Sequence, residues 1–255
     1  MEFRELTSSL VTFWGSGCAE HILTGAENTS FIRRRNNWIN ANIPLRLSGL
    51  LMIDWGKIVG FTIELPVEYA PLPLFGKNLA TILCYWTQPA ISTSNHKNML
   101  LEQTVERLER KSYSGAVVIC SNNLDIPIWE SLGFETVGEL EMLGSANKVM
   151  FLNFSDGSLP SFQRPKPLPS PHQRKLALDL FCPAYCPLGG LLMSKVIKQS
   201  PDFARQAELR IHDTSSREVV IRSGRVIGAY LNGKNITTKV LQNVPIIKII
   251  SDFGS

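Results

Sequence analysis

Short apolar runs alternate with polar turns through the first 154 residues, and most of these runs carry the β-branched residues that are typical of strands. Strands are predicted at 50–53, 58–63 and 80–86. A helix is predicted at about 98–112, where apolar residues recur at helical spacing. The continuous apolar run 115–120 is typical of a strand that is covered on both faces. This succession of strands and helices predicts a mixed sheet.

The end of the first 154 residues also contains a predicted helix followed by predicted strands. A short helix is predicted at about 126–132, and Gly133 is placed to end it, because glycine readily adopts the left-handed backbone that closes many helices. Strands near 135–141 and 148–154 follow. The order is a meander of strands, then strand, helix, strand, helix and two strands. We therefore predict an α/β (α+β) fold class.

Prolines set one stretch apart from its surroundings. Residues 155–173 contain five prolines. Proline fixes its own φ and restricts the residue before it, so this stretch cannot form a helix or an inner strand. Its composition is typical of an extended, semi-rigid linker. We therefore predict two domains, 1–154 and 174–255, joined by a Pro-rich linker.

The second domain is predicted to follow the order β-α-β-α-β-β-α. Its first three elements are a strand at 176–181, a helix at 188–199 and an alternating strand at 208–212. A further helix is expected to begin at 215–218, where the residues have the spacing of a capping box. The Asn-Gly pair at 232–233 is a strong signal for a hairpin turn.

Composition and charge exclude several classes of protein. The 255 residues are 44% hydrophobic and 19% charged, so the chain can bury a core and is not disordered throughout. Its net charge of +4 is too small to indicate a nucleic-acid partner. No apolar run approaches the roughly 18 residues that a membrane span needs, so no membrane partner is predicted.

The cysteines and the first six residues indicate the cellular compartment that is expected for the protein. Residues 1–6 are acidic and mixed, unlike a secretory signal. The cysteine count is odd, and the five positions are scattered along the chain. A reducing cytoplasm is therefore expected. Cys84 and Cys120 lie in strand-like runs and are interpreted as small core residues.

The order of elements in the first domain resembles the GNAT family of N-acetyltransferases. The segment Ile128 to Glu135, which contains Gly133-Phe134, looks like the late helix-to-strand motif of that family. The resemblance covers roughly residues 1–154 and is clearest over 45–154. It implies a GNAT-like mixed sheet with helices on both faces, acetyl-CoA as the cofactor, and acetyl transfer to a small-molecule amine or a peptide amine. GNAT domains often pair, so the resemblance also leaves a homodimer open.

The resemblance places the phosphate-binding loop of the family at 92–97. In that loop, glycines and the N-terminus of the following helix hold the pyrophosphate of acetyl-CoA. Here Ser92 stands where the family has Gln or Arg, and Asn95 and Lys97 stand where it has glycines. Ser92, Thr93, Ser94 and His96 are candidate replacement donors, whereas Lys97 either contacts the phosphates or blocks them.

The family also binds the pantetheine arm of the cofactor between two splayed strands. The resemblance assigns backbone groups around Trp86 to this arm, with Thr87 or Gln88 lining the slot. A tyrosine that protonates the leaving thiolate in many relatives is replaced here by Trp129, whose indole is no usable acid. Glu68 is the candidate base, with Glu64 behind it. Glu68 as a plain surface carboxylate is an equal alternative.

The second domain resembles thioredoxin in its order of elements and in having a cysteine just after its first strand. Cys182 and Cys186 lie where thioredoxins carry Cys-x-x-Cys, with Gly189 in place of the second cysteine if Cys186 is the first. The resemblance puts Cys186 at a helix N-terminus, which is expected to lower the pKa of its thiol. The proline that precedes the third thioredoxin strand is absent, since Ile227-Gly228 occupies that region.

A metal site at Cys182 and Cys186 is an alternative interpretation, with His172 or His212 as a further ligand. This spacing matches no tight zinc pattern, so no metal is predicted. The plainest alternative is two partly buried thiols in an inherited fold.

Three functions are therefore open. The first is an acyl-CoA-dependent N-acetyltransferase, weakened or inactive if the altered loop fails to bind the cofactor. The second is a GNAT-like binding protein without catalysis. The third is a thiol-dependent redox protein that uses Cys186, which predicts that Cys186 reacts with alkylating agents faster than Cys84.

Overall fold

The structure is a computed structural model that describes residues 1–11, 17–89, 94–155, 157–169 and 175–253. The first part contains nine strands and four helices within those ranges. They are β1 (Glu2–Glu5), α1 (Ser8–Val11), α2 (Gly25–Asn42), β2 (Ser48–Asp54), β3 (Lys57–Pro66), β4 (Leu74–Phe75), β5 (Leu79–Thr87), α3 (Ser94–Arg110), β6 (Gly115–Cys120), α4 (Ile126–Ser131), β7 (Glu135–Met142), β8 (Ser145–Asn153) and β9 (Ser161–Phe162).

The described residues after the linker form a second group of elements. They are β10 (Leu176–Phe181), α5 (Pro187–Phe203), β11 (Ala207–His212), α6 (Arg217–Ser223), β12 (Gly228–Leu231), β13 (Lys234–Asn235), α7 (Thr237–Leu241) and α8 (Ile246–Phe253).

The larger sheet has seven strands in the order β1-β2-β3-β5-β6-β8-β7. Its neighbouring strands are antiparallel except β5 and β6, which run parallel because α3 crosses over between them. Helices lie on both faces. Leu101 and Leu108 of α3 pack with Trp129 of α4 on one face, while Trp38 and Ile39 of α2 pack on the other. The predicted class, a mixed α/β sheet with helices on both faces, is confirmed.

The second sheet has four strands in the order β11-β10-β12-β13. Strands β10 and β11 are parallel, whereas β12 is antiparallel to both of its neighbours. One face packs against α5, α7 and α8, with Leu178, Leu180, Leu192 and Ile249 in the shared core. The Asn-Gly turn between β12 and β13 is confirmed, since Asn232 and Gly233 both have positive φ.

Residues 155–173 lie against both sheets in the part that the structure describes. Strand β9 pairs with β4 beside the larger sheet. Further along, the carbonyl oxygen of Lys166 accepts a hydrogen bond from Arg225, and that of Pro169 accepts one from Arg210. The stretch is extended, as its prolines predict, and these bonds attach it to the second sheet.

Two local predictions at helix ends have different outcomes. Gly133 has a φ of +87° just after α4 and closes that helix as expected. The predicted capping box at 215–218 is wrong. Ser216 is the N-cap residue of α6, and its side chain makes no capping hydrogen bond. The hydroxyl of Ser215 accepts a hydrogen bond from the backbone N–H of Ala184, and Glu218 pairs with Arg222. These side chains have partners other than the helix end.

The first 45 residues, which have no assignment from sequence, supply β1 and α2. Strand β1 pairs with β2 at the edge of the larger sheet, and α2 spans eighteen residues. The arginine triplet 33–35 lies on α2, and Arg35 is 1% exposed. Trp38 of the same helix donates a hydrogen bond to the carbonyl oxygen of Ser215, which ties α2 to the second part of the chain.

Candidate functional site

The larger sheet splits between β5 and β6. These strands pair only from Leu79 with Gly115 to Ile82 with Val118. The pairing of β5 with β3 skips one residue at Leu83, which is a β-bulge at the point where the split begins. A bulge bends its strand and so draws the rest of β5 away from β6. Among the described residues, no strand pairs with this edge of 83–87.

A cavity of about 320 Å³ fills the split and continues to the start of α5 and the loop before β12. Its walls come from β5, from the segment after β6 and from the start of α5 with the loop before β12. The lining residues include 82–87, Lys97, Ile119, Ser121, Asn122, Asp125, Leu143, Pro183, Tyr185, Cys186, Leu188, Val226 and Ile227. The cavity therefore passes from the α3 side of the larger sheet to the start of α5 and the loop before β12.

Three polar side chains meet on the α3 side of the cavity. The ammonium nitrogen of Lys97 lies 2.7 Å from one carboxylate oxygen of Asp125. The hydroxyl of Tyr85 donates a hydrogen bond of 2.8 Å to the other oxygen. Burial, followed by the charge of Asp125, raises the pKa of Tyr85, so the phenol stays protonated at neutral pH. Lys97 is thus directed at Asp125 beside the split.

The structure brings some of the predicted cofactor residues together. Trp86 and Thr87 line the cavity as expected, together with Lys97. Gln88 is half-buried, and its backbone N–H donates to the carbonyl oxygen of Val59, beyond the end of β5. None of these observations tests a contact with coenzyme A.

The loop before α3 is described only in part. Ser92 and Thr93 lie outside the described residues. Ser94 is the first residue of α3, and its side chain is likewise not among those described. Asn95 is exposed and His96 is half-buried in the first turn of that helix. The helix therefore begins four residues before the predicted position 98.

The two predicted carboxylates lie away from the cavity. Glu68 is exposed, and it accepts a hydrogen bond of 3.0 Å from the backbone N–H of Asn78. It lines a separate, smaller cavity. Glu64 is 1% exposed on the α3 face and forms a buried ion pair with Arg107. Neither carboxylate is among the residues that line the cavity in the split.

Trp129 has a packing role. It is completely buried, and its ring contacts Tyr85 edge-on at 5.2 Å and Phe134 at 4.9 Å between centroids. Phe134 is the aromatic residue of the Gly-Phe pair that follows α4. Trp129 therefore supports the wall of the cavity that carries Tyr85.

Cys186 lines the cavity at the N-terminus of α5, where the sequence places it. The expected lowering of its pKa is wrong. Burial raises the pKa of the Cys186 thiol to about 11, because desolvation of the thiolate outweighs the hydrogen bonds from the backbone of the first helical turn. Burial also raises the pKa of Cys182, to about 12. Both thiols are therefore protonated at neutral pH.

Three residues in or beside the cavity have no prediction from the sequence: Asp125, Cys18 and Tyr185. Cys18, from the short 3₁₀ turn Gly17–His21, meets Cys84 of β5. Tyr185 is 5% exposed, lines the cavity and packs on Trp38 at 4.8 Å between ring centroids. No local pattern indicates these neighbours, because each contact joins positions far apart in the sequence.

The structure gives two further findings within its described ranges. No group of three or more histidine, cysteine, aspartate or glutamate side chains there is arranged to hold a metal ion. His212 hydrogen-bonds to Asp179, and His172 lies outside the described residues. No described helix combines the length and the apolar character needed to cross a membrane.

Comparisons with known proteins reach the fold only. No family model matches the sequence, and no curated protein matches it. Similar solved structures include an N-acetyltransferase from Staphylococcus aureus, 13% identical with a TM-score of 0.48, which covers 60% of this chain and 98% of its own. A ribosomal-protein-alanine N-acetyltransferase from Brucella melitensis is 14% identical with a TM-score of 0.46 over 64% of this chain and 100% of its own.

A third similar structure is a GNAT superfamily phosphinothricin acetyltransferase from Sinorhizobium meliloti in complex with acetyl-CoA. It is 14% identical with a TM-score of 0.46 and covers 63% of this chain and 92% of its own. Identities and TM-scores this low carry no inference about the activity of the present chain.

Proposed function

We propose that the chain is an acyl-CoA-dependent N-acyltransferase with a GNAT-like first domain and that acetyl-CoA is its simplest donor. The observation that carries this proposal is the split between β5 and β6, which leaves one edge of 83–87 without a strand partner in the described chain. An extended molecule with amide groups can add to such an edge as a further strand would. The pantetheine arm of an acyl-CoA is a molecule of this kind.

The residues around the split fit such a donor. The cavity runs along the edge of β5 where its pairing with β6 has ended, and Trp86 and Thr87 line it. Helix α3 begins beside it and spans seventeen residues, so its N-terminus offers free N–H groups and a favourable dipole to the pyrophosphate. Asn95 and Lys97 of the first turn are the side chains that would contact that group.

The reaction needs little from the protein beyond positioning. The amine nitrogen forms a bond to the thioester carbon and the carbon–sulfur bond breaks. The proton that the nitrogen loses balances the charge of the leaving thiolate. Asp125 is the one carboxylate that lines the cavity among the described residues, and it already accepts hydrogen bonds from Lys97 and Tyr85. No described carboxylate of the cavity is therefore left without a partner to take the proton of the amine.

The remaining site assignments are proposals of unequal support. Glu68 as the base has no support from its exposed position in a separate cavity. Cys186 has support from its place in the cavity, but a pKa of about 11 makes it a poor nucleophile at neutral pH. The acceptor is proposed to be a small-molecule amine or a peptide amine.

The second domain is proposed to be thioredoxin-like and to form residues 174–255. The parallel pair β10 and β11, the antiparallel β12 and β13, and the helices that follow support this assignment. All five cysteines are unpaired, which supports the prediction of a reducing, cytoplasmic setting. A homodimer remains a prediction.

Calorimetric titration with acetyl-CoA tests the proposed function. We expect micromolar binding by the wild-type chain. Ser121→Trp, an exposed position that lines the cavity, should abolish binding by filling the split. Leu124→Trp is the matched control, because Leu124 is 83% exposed and lies on the adjacent turn. Absence of binding by the wild type, or equal binding by the wild type and Ser121→Trp, would overturn the proposal.

A binding protein without catalysis is the second candidate. This candidate is favoured because Asp125 already pairs with Lys97 and accepts a hydrogen bond from Tyr85. The described wall of the cavity therefore has no other carboxylate to act as a base. Acetyl-CoA binding together with no transfer to any amine in a screen would support this candidate over the enzyme.

A further inference from the structure

The half of the cavity beside the start of α5 and the loop before β12 is apolar. Leu143, Leu188, Val226 and Ile227 line it and belong to one hydrophobic cluster. The charged residues that line the cavity, within the described chain, are Lys97 and Asp125, and both lie on the opposite, α3 side. This apolar half, which we term the chamber, offers no carboxylate to an ammonium group.

One polar group beside the chamber has no partner among the described residues. The hydroxyl of Tyr185 is buried and makes no hydrogen bond within the described residues, although Tyr185 lines the cavity. Burial, followed by the neighbouring Cys186 and Cys84, raises the pKa of Tyr185 well above its ordinary value, so the hydroxyl remains a donor. A buried donor without an acceptor is costly, and a ligand with a carbonyl oxygen would remove that cost.

The chamber is continuous with the split. Leu83 and Cys84 of β5 line the same cavity as Tyr185 and Leu188. A group that enters along the free edge of β5 therefore reaches Tyr185 and the apolar wall behind it. A two-carbon acetyl group would leave that wall without contacts.

We propose that the chamber holds the acyl chain of a medium-chain fatty acyl-CoA, with the Tyr185 hydroxyl donating to the thioester carbonyl oxygen. This inference rests on the proposed function and names its donor class. The chamber suits an acyl group better than the apolar part of an amine acceptor. Amines in solution at neutral pH are mainly cations, and the chamber has no described anionic group to receive one. The apolar wall, by contrast, suits methylene groups.

The test compares coenzyme A, acetyl-CoA and octanoyl-CoA by calorimetric titration of the full chain. We expect octanoyl-CoA to bind at least about tenfold more tightly than acetyl-CoA, because its additional methylenes are buried. Leu188→Trp fills the chamber from a half-buried position and should remove this preference without weakening acetyl-CoA. Ile197→Trp, at a 45% exposed position of the same helix, is the control that should retain it.

Tyr185→Phe provides a variant that keeps the ring and its packing. It removes only a hydroxyl without a partner in the described chain, so the fold is expected to be unchanged. It should weaken both acyl-CoA ligands severalfold and leave coenzyme A itself unaffected, because only the thioesters carry the carbonyl. Equal loss for all three ligands would overturn the role given to the hydroxyl.

The outcomes separate the two proposals. Equal affinity for acetyl-CoA and octanoyl-CoA overturns the chamber and leaves the proposed function intact. No binding of any of the three ligands overturns the proposed function. Octylamine that binds to the protein loaded with coenzyme A, while octanoyl-CoA shows no preference, assigns the chamber to the acceptor and overturns the inference.

Discussion

The ammonium group of Lys97 lies 2.7 Å from a carboxylate oxygen of Asp125, beside the split in the larger sheet. The side chain of Asp125 is 8% exposed and that of Lys97 is 24% exposed. Lys97 therefore neutralises a largely buried charge. The residue that replaces a loop glycine in the GNAT resemblance thus has a structural partner on the wall of the cavity.

Removing the charge of Lys97 measures how much its pair with Asp125 contributes to the free energy of unfolding. We expect Lys97→Met to lower the free energy of unfolding by about 1–3 kcal/mol, because Asp125 then keeps Tyr85 as its only side-chain donor in the described chain. Urea denaturation measures the effect. The double variant Lys97→Met with Asp125→Asn should lose less stability than the sum of the single variants. Additive losses would show that the pair has no net interaction.

Arg217 links the second part of the chain to the first. Its guanidinium donates to the carbonyl oxygens of Ala70, Leu72 and Leu74, at distances of 2.6, 3.0 and 2.8 Å. We expect Arg217→Met to reduce the free energy of unfolding by about 2–4 kcal/mol, because the part-buried carbonyls lose charge-assisted hydrogen bonds. Thermal and urea denaturation check this value.

Arg222 supplies the matched control for that experiment. It lies on the same helix α6, and its ion pair with Glu218 is exposed on both sides. Arg222→Met should cost less than about 1 kcal/mol, since exposed pairs contribute little. Equal losses for the two variants would contradict the contribution assigned to the Arg217 contacts.

Asp179 makes the stability depend on acid pH. Burial alone would raise the pKa of this carboxyl, but hydrogen bonds from His212 and Arg210, with their charges, outweigh burial and lower it. A pKa that is lower in the folded than in the unfolded chain stabilises the fold above about pH 4. That contribution is lost as the pH falls through the folded pKa.

Asp179→Asn should remove this part of the acid dependence. Between pH 7 and pH 3 we expect the unfolding free energy of the wild type to fall more steeply than that of the variant. Asp202→Asn, at an exposed position of α5, should follow the wild type. Parallel curves for wild type and Asp179→Asn would disprove the assigned pKa shift.

The reactivity of the thiols should follow their surroundings. A hydrogen bond with Cys84 is the chief cause that lowers the pKa of Cys18; burial opposes it, and the charge of Arg35 adds to it. The pKa of Cys84 is raised well above its ordinary value, and that of Cys186 to about 11. At pH 7.5 we therefore expect iodoacetamide to modify Cys18 before Cys186.

Mass spectrometry of the labelled peptides measures the order of modification. Cys84→Ala removes the partner of Cys18 and should slow its labelling. Modification of Cys186 ahead of Cys18 would contradict the pKa directions and would favour the thiol-dependent function. The expected difference in rate between Cys186 and Cys84 remains a prediction, because the pKa values of both thiols are raised.

Local patterns in the sequence predict much of the fold. The apolar runs that become β2, β3, β5 and β6 and the helical spacing that becomes α3 depend on neighbours within a few residues. Gly133 likewise ends α4 through its own backbone freedom. The first 45 residues have no assignment from the sequence, so β1 and α2 appear only in the structure.

The candidate site, too, is predicted in part from the sequence and is in part seen only in the tertiary structure. From sequence alone, the resemblance to the GNAT family assigns the slot between two splayed strands to the region of Trp86 and Thr87, and the resemblance to thioredoxin places Cys186 at a helix N-terminus. The tertiary structure decides the rest: the pairing of Lys97 with Asp125, the burial that keeps Cys186 protonated, and the position of Tyr185 in the cavity. Those properties depend on desolvation and on side chains from distant segments, and neither is encoded in any local spacing of residues.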